Sequence, residues 1–179
     1  MKKALFALAA VLAAVSASAA EGGPQLGLGA IVGFGTTAIT VPFNIAPGLR
    51  VEPFVGFART KVTNSVNPAG DTINTDTTFS LGSGLYVVKE AAQNVELYGG
   101  GRIGLAFISE KVETPVGDNS DSFVGFELAA VGGAEYYFSP RFALGVEAEL
   151  GLQTEETAVD VRRTDIFTAS FVTAKVFFK

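Results

Sequence analysis

The sequence has no cysteine, no histidine and no tryptophan, and its one methionine is Met1. Without cysteine there is no disulfide staple, although an exported chain could form one, and no thiolate chemistry. Without histidine the commonest general base and metal ligand is missing. Hydrolases that set a histidine beside a serine or aspartate are excluded with it. We therefore expect no enzyme activity, no cofactor and no metal site. Beyond the first twenty residues, no stretch of about 20 uninterrupted apolar residues exists, which excludes a spanning helix. Yet 48% of the chain is hydrophobic, so the apolar side chains must be distributed in some other pattern.

The first twenty residues are set apart. Lys2 and Lys3 form a basic start, Ala4 to Val15 an uncharged apolar stretch, and Ala17-Ser18-Ala19 and Ser18-Ala19-Ala20 are small-x-small cleavage sites. This is the pattern of a cleavable secretory signal peptide, residues 1–20, followed by one domain, 21–179. Cleavage near Ala19 or Ala20 removes two of the 13 basic residues, leaving 11 against 18 acidic ones. That acidic balance argues against a nucleic-acid partner.

What is present is a two-residue rhythm. In Phe142-Ala143-Leu144-Gly145-Val146-Glu147-Ala148-Glu149-Leu150-Gly151-Leu152-Gln153 every even position is apolar, and the odd ones are Ala, Gly, Glu or Gln. Only a strand puts alternate residues on one face. Eight such segments are expected. The first runs from Gln25 to Gly33. The second is centred on Ile39, Val41, Phe43 and Ile45, and the third carries Leu49, Val51, Val55 and Phe57. The fourth holds Phe79, Leu81, Leu85 and Val87; the fifth holds Val95, Leu97, Ile103, Leu105 and Phe107. The sixth holds Val124, Phe126, Leu128, Ala130, Ala134 and Tyr136. The seventh is quoted above, and the eighth ends on Val172, Ala174, Val176 and Phe178. Short turns are expected near 46–48, 89–94 and 139–141, and long polar loops at 62–76, 110–121 and 154–164. Pro53 lacks an N–H for the ladder, so a bulge is expected there.

Apart from a short first connection at 33–36, where an outer loop is nearly absent, short and long connections alternate as in an up-and-down barrel, with short turns periplasmic and long loops outside. The second face is rich in Gly, Ala, Ser and Thr and poor in long charges. That suits the interior of a narrow barrel, with lipid on the apolar face. A soluble barrel, apolar inside, would need a more polar second face. Phe43, Tyr136, Phe138, Phe142 and Phe178 gather near the short turns. Phe34, Phe57, Phe79 and Phe107 gather near the long loops. These are two aromatic girdles flanking an apolar band. On the inner face, Glu52, Arg102, Glu127, Glu147 and Glu149 fall near mid-strand. Arg50, Glu96, Glu135 and Lys175 fall nearer the periplasmic end. Buried charges must pair, so a lumenal charge network is expected at the Glu52–Arg102 level, with Arg102 neutralising one or more of Glu52, Glu127, Glu147 and Glu149. Asp118-Asn119-Ser120-Asp121 lacks the spacing and glycine of a calcium loop and reads as solvated. Arg162 and Arg163 could meet lipopolysaccharide phosphates at the rim.

The signal pattern, the eight alternating segments, the run Leu49-Arg-Val-Glu-Pro-Phe-Val-Gly-Phe57 after a tight turn, and the alternating C-terminal strand together resemble a known group. This is the OmpA- and OmpX-like small barrels of the outer membrane protein β-barrel domain family. The resemblance implies an all-β, eight-stranded antiparallel up-and-down transmembrane β-barrel in the outer membrane. It implies a monomer among outer-membrane lipids and lipopolysaccharide, delivered by the secretion and barrel-assembly machinery. It also assigns Val176 and Phe178 to the assembly signal, although Lys179 follows the aromatic residue that usually ends such chains. The function implied is a structural or surface-interaction role with a mostly closed polar lumen and an unidentified loop partner. The alternative is a small passive channel, cation-preferring because the inner face is acidic.

Overall fold

The structure, a computed structural model, describes residues 26–33, 36–64, 71–114, 116–156 and 162–178. The expected signal peptide, Phe34 and Lys179 lie outside the described residues, as do the side chains of Arg162 and Arg163. The chain forms nine strand segments: β1 Leu26–Gly33, β2 Thr36–Thr40, β3 Phe43–Ala46, β4 Leu49–Asn64, β5 Thr72–Ala92, β6 Val95–Thr114, β7 Gly117–Ser139, β8 Phe142–Glu156 and β9 Arg162–Phe178. All neighbours are antiparallel, and β1 pairs with β9 from Leu26↔Phe178 to Gly33↔Phe171, closing the sheet into a ring.

The segments β2 and β3 are halves of one barrel strand. Against β4, Thr40 faces Phe54 and Phe43 faces Val51, so no residue is gained or lost across Val41–Pro42. Eight barrel strands result. No register shift occurs at Pro53, contrary to expectation: Pro53 faces Ser83 in unbroken register. The ladder lapses one strand over. In an antiparallel strand a residue's N–H and C=O point to the same neighbour. The Pro53 carbonyl accepts from the Val41 amide at 2.9 Å, so its missing donor also faces the strand that Pro42 interrupts. The Pro42 carbonyl accepts from the Gly27 amide at 2.7 Å, so the donor Pro42 lacks faces β1 instead. The two prolines leave adjacent gaps on opposite sides of one strand, and neither needs a bulge.

Two of the expected long loops are largely strand. Pairing continues to Asn64↔Thr72 and to Thr114↔Gly117, so much of 62–76 and 110–121 is hairpin. Asp118 to Asp121 lie in β7 and pair with Val112, Glu113 and their neighbours. Their Thr, Asn, Asp and Ser residues read as loop because nothing apolar is needed on either face beyond the membrane. At the opposite end the turns are tight, with Gly48 at φ +72° and Asn94 at φ +64°, a region those residue types tolerate.

The alternation sorts as expected. Leu28, Val32, Ile39, Leu85, Ile103, Leu128, Val146, Leu150 and Val172 are all about half exposed on the outer surface. The outer aromatics form clusters at both ends. Tyr136 and Phe138 have centroids 4.9 Å apart and Phe138 and Phe142 5.8 Å apart at the short-turn end. At the other end Phe57, Phe79 and Phe107 stand in one hydrogen-bonded row, with Phe79 and Phe107 6.2 Å apart.

Candidate functional site

The inward side chains form two ion networks. The lower one lies toward the short turns. Arg50 and Glu52 alternate inward on β4, Glu96 comes from β6, Glu135 and Tyr137 from β7, and Lys175 from β9. Arg50 donates to Glu135 and to Glu96, each at 2.8 Å, and to the Tyr137 hydroxyl at 3.2 Å. Lys175 Nζ lies 2.5 Å from Glu52 Oε1 and 2.6 Å from Glu135 Oε1. Arg50, Glu52, Glu135 and Lys175 are each 1% exposed. The floor is aromatic: Phe177 stacks on Tyr137 with centroids 5.8 Å apart and lies 5.7 Å from the Arg50 guanidinium.

The upper network centres on Arg102 of β6. It donates to Glu147 at 2.7 Å, to Glu149, and to the Tyr86 hydroxyl through two nitrogens at 3.0 and 3.2 Å. The Tyr98 hydroxyl donates to the other Glu147 oxygen at 3.0 Å. The Phe54 ring lies 5.4 Å from the guanidinium. Tyr98 links the two levels, since its ring is 5.1 Å from Lys175 Nζ and meets Tyr86 edge-on at 5.5 Å. Small residues make room for these rings. A Cβ on Gly84 would collide with the Tyr86 hydroxyl, and one on Gly133 would collide with the Tyr98 ring.

Of the five sequence-predicted site residues, the structure brings together Arg102, Glu147 and Glu149. Glu52 is not at the Arg102 level; it belongs to the lower network, with Lys175 and Arg50. Strand tilt is the reason. Glu52 and Arg102 both align with Gly84 of β5, but a hydrogen-bonded row climbs around a barrel whose strands tilt by roughly 35–45°. Position along a strand is therefore not depth. From the other side of the ring, Lys175 aligns through Gly29 with Thr40 and Phe54, two residues from Glu52. Glu127 faces Gly104 and Gln153 and makes no ion pair among the described residues. Sequence reasoning missed the tyrosines Tyr86, Tyr98 and Tyr137, whose inward parity was the available signal. Val176 and Phe178 point outward on β9, Phe178 opposite Leu26 and Val176 opposite Leu28 and Phe142.

Chemically this arrangement neutralises charge. One guanidinium clamps both Glu147 and Glu149. Among the described residues no group of Asp and Glu is placed to hold a metal ion. Three acids remain in excess on the inner face, counting six glutamates against Arg50, Arg102 and Lys175.

Several solved structures are similar to this chain. A major outer membrane protein from Thermus thermophilus is 16% identical, with a TM-score of 0.58, over 87% of this chain and 99% of that one. Ail, the attachment invasion locus protein of Yersinia pestis, is 14% identical, with a TM-score of 0.47, over 86% of this chain and 94% of its own; it was solved in complex with the heparin analogue sucrose octasulfate. Neisserial surface protein A is 16% identical, with a TM-score of 0.41, over 87% of this chain and 94% of that one. No curated protein matches in sequence. The family model for the outer membrane protein beta-barrel domain matches residues 5–173. With a closed antiparallel ring, an apolar exterior and that match over nearly the whole chain, the protein belongs to the outer membrane protein beta-barrel domain family and resides in the outer membrane.

Proposed function

We propose that this barrel is a platform for surface interaction and that its interior is a plug rather than a conduit. One observation carries the reading. Four strands continue past the membrane as a hydrogen-bonded sheet, seven residues beyond the outer aromatic row: Phe57 to Asn64, Phe79 to Thr72, Phe107 to Thr114 and Val124 to Gly117. At about 3.3 Å per residue that is roughly 20 Å of paired strand. Both edges of the sheet are open among the described residues. β2 pairs with β4 only up to Ala58, and β8 pairs with β7 only from Gly125. An unpaired edge offers amides and carbonyls to an incoming strand. A chain that needed only an anchor would have no use for this much ordered sheet. The role is non-enzymatic, and the loop partner is a molecule outside the cell.

The plug reading is supported by the aromatic floor of Phe177 and Tyr137 and by the two clamped ion networks above it. A second reading, a narrow cation path, is favoured by the three-acid excess and by the buried, unpartnered oxygens Thr40 Oγ1, Thr173 Oγ1 and Glu52 Oε2, which suit bound water. Planar-bilayer recording separates the two: the plug gives no steady current, and a steady cation-selective current overturns it. For the surface role, cells displaying the full chain would be compared with cells whose chain has residues 62–74 and 112–119 replaced by tight turns, on immobilised protein and polysaccharide surfaces. Lower binding by the shortened form is expected. Equal binding refutes the role.

A further inference from the structure

The two faces of the raised sheet differ in charge. On its inward side, Asp76, Glu110 and Asp121 occupy one cross-strand row. On its outward side, continuing the lipid-facing surface, the row directly above Phe57–Phe79–Phe107 is Arg59–Thr77–Ser109–Ser122, and the next is Lys61–Thr75–Lys111–Ser120. Three cations interleaved with hydroxyl groups thus sit over the outer aromatic girdle, on a chain that is acidic overall. Arg59 and Lys61 are exposed, and among the described residues neither makes an ion pair. Lys111 is held at 2.5 Å by Glu113 and at 3.2 Å by Asp118.

Depth decides what these cations meet. Two residues of a tilted strand rise about 5 Å. The polar layer outside the hydrocarbon is roughly 5–8 Å deep on each side. Measured from Phe57 on the same strand, Arg59 is about 5 Å higher and lies within the headgroup layer, while Lys61 is about 10 Å higher, just beyond that layer, with a side chain long enough to reach back into it. Both point toward lipid rather than toward the barrel axis. An arginine fork and an ammonium with hydroxyl donors between strands are suited to phosphate oxygens. We propose that the outward face of β4–β6 at Arg59, Lys61 and Lys111 is a docking site for the phosphate-bearing headgroup of an outer-leaflet glycolipid. Arg59 and Lys61 carry the binding. Lys111, already paired, contributes less and orders the hydroxyl row between them. This site is on the opposite face from the acidic row and uses outward side chains rather than the backbone groups of the open β4 edge on which Arg59 and Lys61 lie, so it stands or falls independently of the surface-interaction role.

The test uses the full chain in phosphatidylcholine nanodiscs, titrated with labelled bisphosphorylated lipid A, with the same lipid after removal of its phosphates, and with inorganic phosphate. Wild type should bind the phosphorylated lipid, should not bind the dephosphorylated one, and should keep its binding in the presence of inorganic phosphate at matched concentration. Arg59→Gln/Lys61→Gln should bind it about 30-fold more weakly, from two cations at the membrane surface. The charge-retaining Arg59→Lys/Lys61→Arg should keep most of the affinity, which guards against a folding artefact. Asp76→Asn, on the other face, should change nothing. Equal binding by the glutamine variant and wild type overturns the site, as does equal binding of the dephosphorylated lipid or competition by inorganic phosphate at matched concentration.

Discussion

Arg102→Ala is the sharpest perturbation of the interior. The guanidinium bonds Glu147, Glu149 and the Tyr86 hydroxyl, and the Glu147 and Glu149 side chains are 0% and 3% exposed. Truncation leaves two buried carboxylates with no cation of their own, since Lys175 is engaged by Glu52 and Glu135 below. Breaking a buried pair costs about 3–5 kcal/mol, mostly as the penalty for the stranded charge. With a urea slope of about 1–3 kcal/mol per molar, the unfolding midpoint should fall by at least about 1 M. The double change Glu147→Gln/Glu149→Gln supplies the control. Once both carboxylates are amides, removing Arg102 strands no charge, so the further loss should be smaller by about 2 kcal/mol or more, a coupling typical of residues in one network. Urea titrations of the four proteins in lipid vesicles, followed by tyrosine fluorescence and heat-modifiable mobility, measure the cycle. An unchanged midpoint for Arg102→Ala would refute the argument. So would strict additivity with the two glutamine changes, because the cost would then be lost packing against Phe54 rather than stranded charge.

Lys175→Met should destabilise by a similar amount, about 3–5 kcal/mol, and adding Glu52→Gln should recover part of it; no recovery would break the Glu52–Lys175 pairing. Gly133→Val should shift the Tyr98 ring and lower the unfolding midpoint, whereas Gly132→Val, where an added Cβ meets nothing within 4 Å, should be close to neutral. Phe178→Asp should impair insertion in cells, because the outward aromatic of the last strand is lost, while removing Lys179 should be neutral. Outer-membrane yield by fractionation reads both, and normal yield of the aspartate variant refutes the assembly role of Phe178.

Much of the fold was legible because a barrel writes its two faces into odd and even positions. Leu150 out and Glu149 in needed no coordinates. The failures share a cause: sequence gives position along a strand but not shear around the ring. Glu52 and Arg102, both at mid-strand, therefore looked level, while Lys175, near the end of the chain, did not look like a partner for Glu52. The extended hairpins were misread because a strand in water on both faces loses the apolar alternation. Thr72 to Thr77 has the composition of a loop and the hydrogen bonds of a ladder. Pro53 misled by chemistry alone, since the donor it lacks faces Val41 on a neighbouring strand, where the ladder already lapses beside Pro42.

The central claim is that odd and even residues of each strand face opposite solvents. The absence of native cysteine allows a clean test: single cysteines at Leu128, Ala129, Val146, Glu147, Leu150 and Gly151, each carrying a nitroxide in lipid vesicles, scored for collisions with oxygen and with a water-soluble nickel chelate. The account predicts oxygen access at Leu128→Cys, Val146→Cys and Leu150→Cys, and low access to both reagents at Ala129→Cys, Glu147→Cys and Gly151→Cys. Nickel access at the first three positions, or the same accessibility at neighbouring residues, would contradict it.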